Sequence, residues 1–339
     1  MPRYQKFNLG DVELQLGATL PNAWLTYKTY GKINLARDNI VLLPTFFTGT
    51  HIRNEWLFGT GRAINPENYF IISIDMFGNG YSSSPSNTPA PYDGPRFPKI
   101  TLFDNIACQH KLLIEKFNIN SIALVAGWSI AGCQAYQWGA QYPEMVQAIL
   151  PFCASAKTST HNIVFLEGVK AALKADASWN LGNYTVPPER GLRAFGRVYA
   201  GWAFSQTFFR KKLYQDLGFT NYEDLLLSWE QDHLNWDANN LLSKIWTWQN
   251  ADISANNIYH KDFERALRNI KANAILIPCS DDLYFPPEDN EREARYMPNV
   301  SLELFKSAWG HCAGSPGKNR QFRYFLDQRI SHLLKSINT

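Results

Sequence analysis

A serine sits among small residues in the stretch Leu124-Val125-Ala126-Gly127-Trp128-Ser129-Ile130-Ala131-Gly132. The apolar run 122–126 breaks there into a Gly-x-Ser-x-small turn and then into a helix-like segment, 133–142. A serine on such a strand-to-helix turn is pushed clear of the backbone, where a histidine can reach its hydroxyl. The arms of the turn pass close together, so Gly127 and Ala131 must be small. Ala131 exceeds the usual glycine by one methyl, and Gly132 follows. The plainer alternative is a glycine-rich turn whose serine only caps the helix. The order of strand, elbow and helix favours a nucleophile.

A serine hydroxyl attacks poorly at neutral pH until a base takes its proton. The base should be a histidine after the last strand, oriented by a carboxylate after the preceding one, in the chain order Ser, Asp or Glu, His. The run 274–277 leads into Pro278-Cys279-Ser280-Asp281-Asp282, and 302–305 leads towards Trp309-Gly310-His311. Of seven histidines, His311 alone directly follows a late strand. His51 falls in a loop suited to the mouth of a site. His110, His161, His233 and His260 read as structural or exposed, and His332 is near the C-terminus. Asp281 is preferred to Asp282 as the acid, with the neighbour bracing the loop. The oxyanion of acyl transfer needs donors: the Ile130 N–H, next to the nucleophile, and the Phe47 N–H in Thr45-Phe46-Phe47-Thr48-Gly49. Phe46 and Trp128 are the expected pocket walls.

Runs at 40–43, 69–74, 122–126, 148–152, 274–277 and 302–305 read as strands, and their lack of polar alternation suits a parallel sheet buried on both faces. Helices at 102–117 and 132–142 return the chain between strands, and 12–30 suits an antiparallel hairpin at the sheet edge. The middle differs: helical spacing at 165–173, 191–214, 222–230 and 238–249 without a convincing strand reads as a lid inserted between two strands. The expected division is a core at 1–160 and 266–339 with a helical lid at 161–265. The acids Glu230, Asp232 and Asp237 read as a solvated helix face, and the 77–84 turn as a border of the site.

Apolar residues make up 45% and charged residues 19% of 339, enough for a large core and too ordered a composition for a disordered chain. The load of 11 Trp, 16 Tyr and 21 Phe reads by default as core, with some of the rings expected to line a cavity. A net charge of +3 is too weak to argue for nucleic acid. Five scattered cysteines without C-x-x-C spacing disfavour a disulfide framework or zinc site and read as buried free thiols. Met1-Pro-Arg-Tyr-Gln-Lys-Phe has no apolar signal core and no run suits a membrane span, so a soluble cytoplasmic protein is the default.

Thr29-Tyr30-Gly31, Phe47-Thr48-Gly49-Thr50, Gly78-Asn79-Gly80 with Ser82 to Pro85, Phe97-Pro98-Lys99-Ile100-Thr101 with Asp104, the Ser129 elbow, Ser280-Asp281 with Leu283-Tyr284, and Gly310-His311 carry a resemblance. Through them the chain resembles the homoserine O-acetyltransferase family of α/β-hydrolase-fold proteins. The resemblance implies a mostly parallel central sheet flanked by helices, a helical lid, and a dimer formed through lid helices. It places the family's nucleophile, aspartate and histidine on Ser129, Asp281 and His311. The chain departs from the pattern at Trp128 and Ile130-Ala131 in the elbow and at Cys312-Ala313-Gly314 after the histidine. In the lid, the family's Tyr and Arg grip the amino-acid carboxylate; here 191–205 aligns Ala203-Phe204 with that place, and Arg193, Arg197 and Arg210 fall elsewhere.

The expectation is therefore a serine-dependent acyl-enzyme hydrolase of an ester, thioester or amide with an apolar or aromatic acyl part. It would need no cofactor or metal and take a small-molecule substrate. Two alternatives stand beside it: acetyl transfer to homoserine or another hydroxyl, with acetyl-CoA as co-substrate, and a non-catalytic binding protein that keeps the fold.

Overall fold

Aliphatic runs form the centre of an eight-stranded sheet in a computed structural model describing residues 4–337. The first three residues of the Met1 to Phe7 run, and the outermost ends of the expected segments, lie outside the described residues. Strands β1 (Gln5–Glu13), β2 (Thr19–Tyr30), β3 (Ile40–Pro44), β4 (Phe70–Ile74), β5 (Leu124–Trp128), β6 (Ala148–Phe152), β7 (Asn273–Leu276) and β8 (Val300–Leu302) are ordered β1-β2-β4-β3-β5-β6-β7-β8. β1 pairs antiparallel with β2 and β2 with β4; all other pairs are parallel. Every residue of β3, β4 and β6 is buried, as a sheet covered on both faces requires.

The edge hairpin begins earlier than its alternation indicates, because Leu9 is the one buried residue of β1 and most others face solvent. Helix α1 (Leu102–Phe117) starts at a capping box, with the Thr101 side chain accepting from Asp104 N–H and the Asp104 carboxylate accepting from Thr101 N–H. Asp104 Oδ1 also accepts from Gln15 N–H at 2.7 Å, tying the helix start to the hairpin turn. The Phe-Pro-x-Ile-Thr-x-x-Asp run is thus a helix start.

Helix α2 (Ile130–Gln141) follows β5. Between β6 and β7 the chain runs through α3 (Thr160–Lys174), α4 (Glu189–Ala203), α5 (Gln206–Arg210), α6 (Tyr222–Leu234), α7 (Ala238–Gln249) and α8 (Phe263–Arg268), with no named strand among the described residues. The single helix expected over 191–214 is broken: Phe204 is extended, and Ser205 caps α5 by accepting from Phe208 N–H. Helices α9 (Pro287–Ala294) and α10 (Arg320–Ser336) complete the fold. Buried residues of α3, α4, α6 and α7 share one apolar cluster with Phe46, Phe47 and Ile130, so this helical segment packs onto the end of the sheet that carries the elbow. No described helix is long and apolar enough to cross a membrane.

Candidate active site

Ser129 stands between β5 and α2 with φ 60° and ψ −134°, a conformation L-residues rarely adopt. The surrounding hydrogen bonds enforce it: Ser129 N–H donates to Phe152 O, and Ser129 O accepts from the N–H groups of Gly132 and Cys133. The closeness expected of the turn is observed. A Cβ on Gly127 would lie 2.5 Å from the carbonyl carbon of Ala131, and one on Gly132 would lie 2.5 Å from Ala154 Cβ.

His311 comes from a short 3-10 turn, Gly310–Gly314, and its Nε2 lies 3.0 Å from Ser129 Oγ. Its Nδ1 lies 2.8 Å from Asp282 Oδ2. The structure therefore corrects the choice of acid: Asp282, and not Asp281, faces the histidine. Asp282 N–H closes a turn onto Cys279 O, while Asp282 Oδ1 accepts from the backbone N–H groups of Tyr284 and Phe285, which points the carboxylate inward. Asp281 instead accepts from Ser280 Oγ. Ser129, Asp282 and His311 are each no more than 3% exposed.

Trp128 is more than a wall. Its ring stacks on the His311 imidazole with centroids 4.9 Å apart, and its Nε1–H donates to His311 O at 3.1 Å. The rings of Tyr284 and Phe285 also pack on His311, at 4.5 and 5.6 Å. This packing holds the imidazole between Ser129 and Asp282, where it can take a proton from the hydroxyl and carry the resulting charge beside a carboxylate.

Phe47 and Ile130 are buried, and among the described residues neither backbone N–H has a hydrogen-bond acceptor. Ile130 is also the first residue of α2, whose N-terminal end favours negative charge. A cavity of about 290 Å³ opens onto Ser129 and His311. The expected Phe46 and Trp128 line it, with Phe47, Tyr199, Phe204, Trp229 and Trp309 among the other rings.

Among the polar side chains of this cavity, Arg53 escapes the sequence reading, which also puts Asp232 on a solvated face and His233 among the structural or exposed histidines. Arg53 donates to Thr48 O at 2.7 Å and lies 3.7 Å from Asp232. His233 is buried, which lowers its pKa below the ordinary histidine value; Nδ1 bonds Trp229 O, and Nε2 has no partner among the described residues. The expected solvated face is only partly so: Glu230 is buried and paired with Arg193 and Arg197, Asp232, with a side chain 44% exposed, faces the cavity, and Asp237 caps α7. Those pairings hold Arg193 and Arg197 away from the cavity, where Ala203 and Phe204 line the wall instead.

Two further expectations are corrected. His51 is buried with its Nδ1 2.6 Å from Asp75 Oδ2 and does not line the cavity. The 77–84 turn is also set back, with Gly78 against Ser243 and Lys244 of α7. The five cysteines are buried free thiols. Burial pushes Cys108, Cys133 and Cys279 up to about 12 and Cys153 and Cys312 well above the ordinary thiol value, so none supplies a thiolate at neutral pH. On α9, Glu293 is buried and accepts from Tyr136 OH, Asn290 Nδ2 and Ala156 N–H.

The alpha/beta hydrolase fold family model matches residues 38–316. An ethyl acetate hydrolase of Pseudomonas veronii is 32% identical, over 98% of this chain and 96% of the relative. The crystal structure of the acetyl esterase MekB superposes with a TM-score of 0.95 at 32% identity, covering 98% of this chain and 96% of that one. A homoserine O-acetyltransferase of Trichormus variabilis is 31% identical, over 89% of this chain and 86% of the relative. The chain belongs to the α/β-hydrolase fold family, in the group of enzymes that contains both esterases and homoserine O-acetyltransferases.

Proposed function

We propose that this enzyme is a serine ester hydrolase that works through an acyl-enzyme on esters with a short apolar acyl group. The observation that carries the reading is the hydrogen-bonded line Ser129–His311–Asp282 opening into a ring-lined cavity. Ser129 Oγ attacks the ester carbonyl carbon as His311 Nε2 takes its proton. The N–H groups of Phe47 and Ile130 bind the oxyanion. Asp282 keeps the proton of the neutral imidazole on Nδ1 and stabilises the imidazolium. As the tetrahedral adduct collapses, the C–O bond to the alcohol breaks and His311 protonates the departing oxygen. Water then attacks the acyl-enzyme, gives a proton to His311, and the acid leaves as Ser129 regains its proton.

The names of the ethyl acetate hydrolase and the acetyl esterase support a short acyl group. So does the contact of Phe46 with Trp128, 4.9 Å between ring centroids beside the nucleophile. Acetyl transfer from acetyl-CoA is the second reading, favoured by the likeness to the homoserine enzyme. Against homoserine as acceptor stands the cavity wall of Ala203 and Phe204, which offers its carboxylate no charge. A helical lid over 161–265 and a homodimer through it belong to the same proposal; exposed Val198, Tyr222 and Leu227 on α4 and α6 support the dimer.

The test is turnover of p-nitrophenyl acetate and butyrate by the wild type beside Ser129→Ala. The reading requires the wild type to release acetate from the acetyl ester and the substitution to abolish turnover; equal activity in both proteins removes Ser129 as the nucleophile. Homoserine added with acetyl-CoA separates the second reading, which requires CoA release without free acetate.

A further inference from the structure

Lys244 lies in the middle of α7 and is fully buried. Among the described residues it has no ion pair, and its one hydrogen bond runs from Nζ to the carbonyl oxygen of Phe47, at 2.5 Å. Its other close surroundings include the rings of Trp236, 4.1 Å from Nζ, and Phe47, at 5.2 Å. A buried ammonium without a carboxylate partner is unfavourable, and an apolar side chain of similar length is the ordinary solution at such a place. Burial lowers the Lys244 pKa to about 7; Arg53 acts in the same direction, and Asp75 and Asp232 oppose it. Protonated or neutral, the amine keeps an N–H to donate.

The oxygen it holds is well placed to matter. The N–H and C=O of Phe47 lie in two planar peptide units that meet at a single Cα, so a tie on the carbonyl anchors one unit and leaves the N–H unit only rotation about that Cα. The turn is closed on its other side by Gly49 N–H donating to Phe46 O at 2.8 Å. The stem of Lys244 is itself fixed, running against Gly78, where an added Cβ would come within 3.2 Å of its Cγ. We propose that Lys244 is a positioning residue: it ties α7 to the 46–49 turn and aims the Phe47 N–H at the developing oxyanion. The proposal rests on the reading of Ser129 and Phe47 given under Proposed function, and it makes oxyanion binding depend on a helix of the inserted segment.

The experiment compares Lys244→Met with the wild type and Ser129→Ala. Removing an oxyanion donor outright costs ~10²–10³ in kcat, so a donor left in place but released should cost about tenfold. KM for p-nitrophenyl acetate should stay within about threefold, because the loss falls on the transition state. Labelling of Ser129 by a fluorophosphonate should slow in parallel, since phosphonylation draws on the same donors. Tm should hold or rise, because a buried unpaired charge has been removed. A purely structural strut gives the opposite pattern, with Tm and the active fraction falling together and kcat per active site unchanged, and that result overturns the proposal. Should Lys244→Met fail to fold, Lys244→Gln, whose side chain is one bond too short to carry its donor to Phe47 O, is read by the same criteria. Activity surviving in Ser129→Ala overturns the nucleophile and this proposal with it. Activity lost in Ser129→Ala but intact in Lys244→Met overturns this proposal alone.

Discussion

Replacing Asp282 by Asn changes one atom in the site and reverses the direction of a proton. Asp282 Oδ1 accepts from two backbone N–H groups, those of Tyr284 and Phe285, while Oδ2 faces His311 Nδ1 at 2.8 Å. In the Asn variant, the backbone donors claim the amide oxygen and the NH₂ group is left facing the imidazole. Nδ1 must then accept, so the ring proton moves to Nε2, 3.0 Å from Ser129 Oγ. An imidazole protonated there cannot take the serine proton. The expected fall in kcat for p-nitrophenyl acetate is on the order of 10⁴, about 5 kcal/mol on the barrier. Because the amide oxygen still satisfies both backbone donors, Tm should change little. Asp281→Asn serves as the control: it alters a carboxylate bonded to Ser280 Oγ and should leave kcat within about twofold. An Asp282→Asn enzyme with more than about a tenth of wild-type kcat, or an Asp281→Asn enzyme without activity, refutes the assignment of the acid and the tautomer argument behind it.

Trp128→Phe keeps a ring over His311 but removes the Nε1–H bond to its carbonyl; kcat should fall about three- to tenfold, the worth of one such bond. Trp128→Ala opens the wall beside the nucleophile. The kcat/KM ratio of p-nitrophenyl hexanoate to acetate should then rise roughly tenfold, as one or two further methylenes find apolar cover, and an unchanged ratio contradicts the pocket assignment. Burial raises Glu293 from an ordinary 4.5 to about 8, so the folded protein keeps a proton that the unfolded chain releases near 4.5. Unfolded chains bind fewer protons throughout that window, so this group makes stability fall as pH rises from about 4.5 to 8. Glu293→Gln should flatten the decline of Tm between about pH 5 and 8, and an unaltered slope assigns the decline to other groups.

The elbow was legible because its requirements are local: a buried strand, two small residues and a helix start lie within one short stretch. Asp281 and Asp282 were not separable, because they are adjacent on a loop without periodicity. Which one turns inward is decided by the N–H groups of Tyr284 and Phe285 and by a histidine 29 residues away. Arg53 carried no signal, since its bond to Thr48 O depends on how the 3-10 turn His51–Leu57 folds back. The four-residue spacing of Arg193 and Arg197 could have signalled that α4 shows its arginines to one neighbour, but only packing identifies Glu230 on α6 as their partner. The bounds of α1 and α7 matched the periodic reading, whereas 191–214 did not. There Ser205 is a cap signal that apolar spacing on both sides concealed.

The wall formed by Ala203 and Phe204 governs a competition between acceptors. A leaving alcohol and an attacking one must pass through the same transition state in opposite directions, so the space that releases the first is the space that admits the second. An alcohol displaces water from the acyl-enzyme only when the protein raises its effective molarity above that of the solvent. This cavity has rings with which to do so; its cations, Arg53 and Lys318, lie off that wall, and Arg53 is 3.7 Å from Asp232. The partition between transfer and hydrolysis should therefore follow how strongly an alcohol prefers an apolar surface to water, with amino-acid alcohols at the losing end.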